Sequence, residues 1–282
     1  MNISRLLSVA PMMERTDRHC RYFFRLLSQQ TLLYSEMINA NAITKGNKTR
    51  LLNFSEIEHP LALQIGGSDP KLLAEATKIG VDWGYDEINL NVGCPSSRVS
   101  SGDFGAVLMK RKDHVAKCVD AMAQFSSNVP ISVKCRIAVD DQDPEKILPS
   151  FIKTVSNSGV SIFIIHARKA ILSGLSPKDN RKIPPIDYNL VKKIKTQFPQ
   201  LEICLNGEIK DLSTVMNFIN DGINGCMIGR EVYKNPKHPY TIGLLACKPP
   251  INIDLKELPT RKHFTEIDED GFSGDVIKNI DD

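Results

Sequence analysis

The chain has 282 residues, of which 41% are hydrophobic and 24% charged, a balance that suits a globular domain with one large core and excludes a filament, a coiled coil or a disordered polymer. No apolar run approaches the roughly 18 residues that a membrane span needs, and the N-terminus lacks the basic-then-apolar layout of a leader, so a soluble, unexported protein without membrane partners is expected. The formal net charge of +3 is unevenly placed, since residues 237–282 hold six Lys/Arg and nine Asp/Glu while residues 1–236 hold 30 and 24; a body at +6 is compatible with RNA phosphates and equally with an ordinary solvated surface.

In chain order the sequence repeats one unit, a short apolar strand, a polar loop and usually an amphipathic helix. The first expected strand, 6–10, ends in Ala10-Pro11-Met12-Met13. A second covers 32–38, and a third, 61–65, runs into Gln64-Ile65-Gly66-Gly67. Asp69-Pro70 then opens a helix, an acidic cap followed by a proline in the first turn. The strand 87–92 breaks off at Asn91-Val92-Gly93-Cys94-Pro95, and Val115, Val119 and Met122 follow at helical spacing. The strand 131–137 presents Lys134 with Arg136, and Asp143-Pro144 opens another helix. The strand 162–167 ends in His166-Ala167-Arg168 and is followed by a helix marked by Leu190, Val191 and Ile194. The strand 202–206 leads to Asn206-Gly207-Glu208, and the eighth, 225–229, to Gly229-Arg230.

Eight strands rich in Ile, Val and Leu that alternate with helices imply parallel strands buried on both faces. The expected fold is a (β/α)8 TIM barrel over residues 1–236, because such barrels run to roughly 250 residues. An open doubly wound sheet is the alternative, but no Gly-x-Gly-x-x-Gly follows the first strand. After Pro236 the periodicity ends. Residues 237–282 read as an acidic tail, with a short helix around 242–247 and a loose remainder from 248 to 282.

In a barrel the chemistry belongs at the C-terminal ends of the strands, where this sequence gathers its polar, titratable and glycine residues. Loops after the seventh and eighth strands commonly hold a phosphorylated group; here they offer Asn206-Gly207 for close backbone approach and the Arg230 guanidinium, and a flavin mononucleotide (FMN) phosphate would fit. Lys134 is placed to stabilise negative charge on a reduced flavin. Each signal alone has a plainer reading: Asn-Gly as a turn, His166 as a satisfied core histidine, Lys134 as half of an ion pair. The seven cysteines, at 20, 94, 118, 135, 204, 226 and 247, are odd in number and contain no Cys-x-x-Cys pair, which argues against a disulfide framework and against zinc or any other metal, and suits a reducing cytoplasm. Six of them read as small buried hydrophobes. Cys94, at a strand mouth between Asn91 and Pro95, reads as a reactive group, with the loop from Ser96 to Gly105 able to close over a bound base.

The strings Ala10-Pro11-Met12-Met13, Thr16-Asp17-Arg18-His19, Ala62-Leu63-Gln64-Ile65-Gly66-Gly67, Asn89-Leu90-Asn91-Val92-Gly93-Cys94-Pro95 and Ile165-His166-Ala167-Arg168-Lys169 closely resemble the tRNA-dihydrouridine synthases. The run from Leu172 to Lys178, with Asn180-Arg181 and Ile183-Pro184-Pro185, resembles the A-type subfamily. The resemblance implies an FMN enzyme that uses NADPH to reduce uridine in the D-loop of tRNA, at positions 20 and 20a, with hydride delivered to C6 and a proton from Cys94 to C5. A thiol, with an ordinary pKa of about 8.5, suits a general acid at neutral pH. It further implies FMN contacts at Pro11, Met12, Met13, Gln64, Lys134, His166, Asn206, Gly207, Glu208, Gly229 and Arg230, and tRNA contacts at Asn91, Lys178 and Arg181. Arg168, Lys169 and Lys182 lie in the same loop and add candidate phosphate ligands. The expected state is a cytoplasmic monomer.

The chain departs from the family pattern at Arg15 and Ile171, where tryptophan is usual, and past Asn235-Pro236, where the family's tRNA-gripping helical domain would follow and the acidic tail stands instead. A truncated, weakly active or inactive flavin-binding homologue, a flavin reductase of a free pyrimidine and a non-catalytic RNA-binding remnant are the competing readings.

Overall fold

The structure, a computed structural model, describes residues 3–234 together with 265–267 and 273–275. Nine strands form one sheet: β1 (Leu7–Val9), β2 (Leu33–Tyr34), β3 (Ile38–Asn39), β4 (Leu61–Gly66), β5 (Glu87–Val92), β6 (Ile131–Arg136), β7 (Ile162–His166), β8 (Glu202–Asn206) and β9 (Gly225–Ile228). They run β1-β9-β8-β7-β6-β5-β4-β2 with β3 also on β4, and every pairing is parallel. A bridge between Ser8 and Leu32 joins β1 to the start of β2, with Val9 N–H on the Leu32 carbonyl at 3.0 Å and Leu32 N–H on the Leu7 carbonyl at 3.2 Å. The sheet is therefore closed, the (β/α)8 barrel expected from the strand and helix alternation.

The second expected strand is in fact two, β2 and β3. Tyr34 pairs with Ala62 and Ile38 with Ile65, so this segment spends one more residue than its neighbour over the same distance, which defines a bulge. Ser35 accommodates it: the Gln64 N–H donates to Ser35 Oγ at 3.0 Å, a side-chain oxygen replacing a ladder carbonyl.

The helices follow their sequence signals. Asp69 accepts from the N–H groups of Lys71 and Leu72 at the head of helix Pro70–Asp82, and Asp143 from Glu145 at the head of Pro144–Ser156. Val115, Val119 and Met122 on Lys112–Ala123, and Leu190, Val191 and Ile194 on Tyr188–Gln197, are buried against the sheet. On β5, Ile88, Leu90 and Val92 are fully buried beneath this helical layer. Part of the barrel interior is apolar, a cluster that includes Leu32, Tyr34, Ala62, Ile164, Cys204 and Met227. No described helix is long and apolar enough to cross a membrane.

Residues 1–229 and 230–282 form two compact units. The second contains helix Glu231–Lys234 and two antiparallel strands, β10 (Thr265–Ile267) and β11 (Ser273–Asp275). Within the segment 248–282, expected to be loose, these six residues pair as strands. The helix expected around 242–247 lies outside the described residues, as does Cys247.

Candidate active site

Cys94 is the second residue beyond β5 and is partly exposed. Its placement is built locally. The side-chain oxygen of Asn91 accepts the backbone N–H groups of Gly93 at 3.1 Å and Cys94 at 3.0 Å, turning the chain sharply as the strand ends. Arg136 donates Nε to the Gly93 carbonyl at 3.2 Å. A Cβ on Gly93 would stand 3.3 Å from the backbone carbon of Cys135, so the chain passes here close against β6.

The loop after Cys94 forms the short helix Ser97–Ser101 and then folds back, so that the Ala106 N–H donates to the Cys94 carbonyl at 2.9 Å. Gly105 makes the return possible, with φ of 77° and its α-carbon so close that a Cβ would lie 2.7 Å from the Cys94 carbonyl oxygen. Phe104 is buried beside it, against Gly66.

Around the mouth the charge is mainly positive. Lys134, on β6, donates Nζ to Asn206 Oδ1 at 3.0 Å, and Asn206 in turn donates Nδ2 to the Met227 carbonyl at 2.7 Å. Burial, with the nearby Arg136 guanidinium, pushes the Lys134 ammonium down to about 8. Burial likewise lowers Arg136 to about 10, with Arg181 and Arg168 adding repulsion. His166, at the end of β7, is held well below the usual histidine range by burial and by Arg136, Lys134 and Arg168, so its imidazole is neutral at pH 7. Its buried Nδ1 has no hydrogen-bond partner. Gly207, with φ of 123°, lies against this ring, and a Cβ there would stand 3.6 Å from His166 Nε2. A Cβ on Gly229 would meet no atom within 4 Å, so the backbone there borders open space.

These features fit an anionic, phosphorylated and partly planar group: neighbouring cations in excess of anions, an unpartnered ring nitrogen and open space beside Gly229. Gln64 comes from β4, across β5 from the adjoining strand ends β6, β7 and β8 that carry Lys134, His166, Asn206 and Gly207. Pro11 and Met12 are half-buried and Met13 exposed just past β1, where Met12 is fixed by paired hydrogen bonds with Thr16. Arg230 falls in the second compact unit.

Arg168 does not serve as a free phosphate ligand, contrary to expectation. It is 4% exposed, donates Nη1 to the carbonyls of Lys182 and Pro184, and pairs with Glu208 at 2.8 Å. It clamps the loop beyond β7 to the rim, and Glu208 is its counter-ion. Asn180 is the other clamp: fully buried, it receives the Ile171 N–H at 2.7 Å and donates to the carbonyls of Ile171, Leu175 and Ser176. Its own carbonyl receives Arg136 Nη1 at 3.1 Å. Arg181 is half-buried near Arg136 and His166, whereas Lys178 is exposed on the outer part of the loop. Of the three residues expected to meet RNA, Asn91 has already committed its oxygen to Gly93 and Cys94 and one N–H to Gln64 at 2.9 Å. Sequence reasoning missed Asn180, and also Glu87, Asn89 and Ser132 beneath the site. The signal for the strand residues was the polar alternation at 87, 89 and 91 within an apolar strand.

The other described cysteines bear no such placement. Cys118, Cys135, Cys204 and Cys226 are buried, and burial pushes Cys118, Cys135 and Cys226 up to about 12.

Residues 8–248 match the family model of dihydrouridine synthase. A tRNA-dihydrouridine(20/20a) synthase of Synechocystis sp. is 55% identical over 230 residues, 82% of this chain and 68% of that protein. The protein of the same name from Escherichia coli strain K12 is 56% identical over 81% of this chain and 66% of its own length. Among solved structures, an old yellow enzyme homologue from Zymomonas mobilis matches with a TM-score of 0.60 at 13% identity, over 90% of this chain and 92% of that one. Morphinone reductase in complex with tetrahydroNAD matches with a TM-score of 0.57 at 11% identity, over 85% and 86%.

Proposed function

This chain belongs to the dihydrouridine synthase family, and from that premise we propose that it reduces uridines of tRNA to 5,6-dihydrouridine, at positions 20 and 20a, with FMN as bound cofactor and NADPH as electron donor. The observation that carries the reading is Cys94, a partly exposed thiol held at a strand mouth by Asn91 and Arg136 and close to the Lys134 and Arg136 cations that a flavin's anionic groups would meet.

When bound, the flavin supplies the hydride that adds to C6 of the base. Cys94 gives its thiol proton to C5, and the thiolate regains one from solvent. Lys134 offers its ammonium to the electron-rich edge of the cofactor, and neutral His166 offers ring nitrogens without adding charge. Gly207 and Gly229 would present their backbone to the phosphate end. Pro11, Met12 and Met13, just past β1, would hold the cofactor together with Gln64, Asn206 and Glu208. A target uridine has to leave its stack to reach Cys94, and Asn91, Lys178 and Arg181 meet it or its flanking phosphates. The catalytic barrel is residues 1–236, with 237–282 an appended acidic segment; the protein acts as a cytoplasmic monomer.

The test is turnover by the FMN-loaded protein with NADPH, comparing unmodified tRNA with free uridine. Dihydrouridine is expected in tRNA and not from the nucleoside. Equal turnover of both would replace this reading with that of a free-pyrimidine reductase, and bound flavin without either product would leave only a flavin-binding homologue.

A further inference from the structure

Beneath Cys94 a chain of buried polar side chains crosses the barrel from β1 to the mouth. On β5, Glu87, Asn89 and Asn91 share the face opposite Ile88, Leu90 and Val92. The register sets Gln64 of β4 and Ser132 of β6 on either side of Asn89. Glu87, Asn89, Ser132 and Gln64 are at most 1% exposed, where an unmatched polar group costs roughly 1–3 kcal/mol, so each has to find its partner.

The polarity of this chain is forced step by step. Glu87 is anchored at the N-terminal side, with Arg5 donating Nε at 2.9 Å and Nη2 at 2.6 Å to Oε2, and the Tyr34 hydroxyl donating to Oε1 at 2.8 Å. Burial and the facing carboxylate push the Tyr34 phenol well up, so it keeps its proton and remains a donor. A carboxylate bound to a guanidinium only accepts, so Ser132, which also contacts Oε1, has to give it its one hydroxyl proton. Ser132 Oγ is then only an acceptor, and Asn89 has to turn its Nδ2 toward it, at 2.7 Å. That turns Asn89 Oδ1 to Gln64, which donates Nε2 at 2.7 Å, and leaves Gln64 Oε1 to accept Asn91 Nδ2 at 2.9 Å. Asn91 therefore presents Oδ1 to the N–H groups of Gly93 and Cys94. An amide flipped anywhere along the chain would set donor against donor or acceptor against acceptor.

We propose that Glu87, Ser132 and Asn89 are positioning residues for Cys94: the carboxylate near β1 dictates the orientation of three successive amides, and the last of these fixes the turn that carries the thiol. None of the three touches Cys94. The inference rests on reading Cys94 as the proton donor, but its direct observable is the environment of the thiol rather than turnover.

The experiment is a double-mutant cycle with Ser132→Ala, Asn91→Ala and the pair in the FMN-loaded protein, following iodoacetamide alkylation of Cys94 by peptide mass spectrometry alongside dihydrouridine formation in tRNA. Ser132→Ala should retain flavin, change the Cys94 alkylation rate by about threefold or more and lower kcat about tenfold, the order of loss that a sub-ångström misplacement brings. In the Asn91→Ala background it should add nothing, because its action passes through Asn91. If Ser132→Ala does not fold, Asn89→Ala takes its place in the same cycle. An unchanged alkylation rate, or an equal effect in both backgrounds, overturns the proposal and leaves a merely structural network. Failure of the wild-type protein to make dihydrouridine would instead sink the functional reading, while the alkylation cycle would still decide the positioning role.

Discussion

In the proposed reaction Lys134 and Cys94 carry most of the chemistry, and their settings combine near neighbours in sequence, Arg136 and Asn91, with the distant Asn206. Lys134 is lowered to about 8 from an ordinary 10.5 because the charged ammonium is buried beside Arg136. Below about pH 8 the folded protein carries this charge at a cost; between about 8 and 10.5 the unfolded chain binds more protons than the folded one, so this group makes stability rise with pH there. An anion bound at the mouth reverses the benefit. FMN affinity measured by fluorescence titration should therefore fall as pH rises through about 8, by up to about tenfold per unit, and Lys134→Met should bind FMN more weakly and without that slope. A wild-type affinity that is flat from pH 7 to 9 would remove Lys134 from the cofactor site. Cys94 was legible from sequence because the apolar pattern of β5 stops at Gly93. Asn89 and Ser132 were not, since their partnership depends on which strands lie side by side and in what register, and the one-strand pattern Glu-Ile-Asn-Leu-Asn-Val states only that polar residues alternate.

The barrel's elements were easier to read than their connections. β5 and β8 fall where the run of apolar residues placed them, because a strand buried on both faces between breakers has few alternative limits. The exception, the break between β2 and β3, comes from a side chain intervening in a backbone ladder, which composition does not announce. The loop beyond β7 was read as a basic segment offering phosphate ligands, yet Arg168 and Asn180 hold it from inside. Asn180→Ala would leave the Ile171 N–H and several carbonyls unmatched and should lower stability by about 2–3 kcal/mol. In denaturant unfolding this appears as an earlier midpoint, with proteolytic cleavage newly appearing within residues 171–182. Wild-type stability together with a protease-resistant loop would show that Arg168 and Arg136 suffice to hold it.

At the scale of the whole molecule, a closed parallel barrel supports two kinds of interior. An apolar cluster draws on β2, β4, β7, β8 and β9, with Leu32, Ala62, Ile164, Cys204 and Met227 among its members. Beside it, charge-anchored amides of β4 and β5 with Ser132 of β6 run up to Cys94. The first gives the barrel its cohesion and the second its aim, at a rim where positive charge predominates. On the outer layer, Leu212 and Met216 of helix Leu212–Asn220 are 63% and 56% exposed.

The most direct test of the account is Cys94→Ala in the FMN-loaded protein, assayed with NADPH and unmodified tRNA. The variant should remain folded and yellow, with flavin absorbance matching the wild type, and should form no dihydrouridine. Full activity in that variant would show that the proton at C5 comes from elsewhere and that the thiol at the mouth of β5 is a bystander.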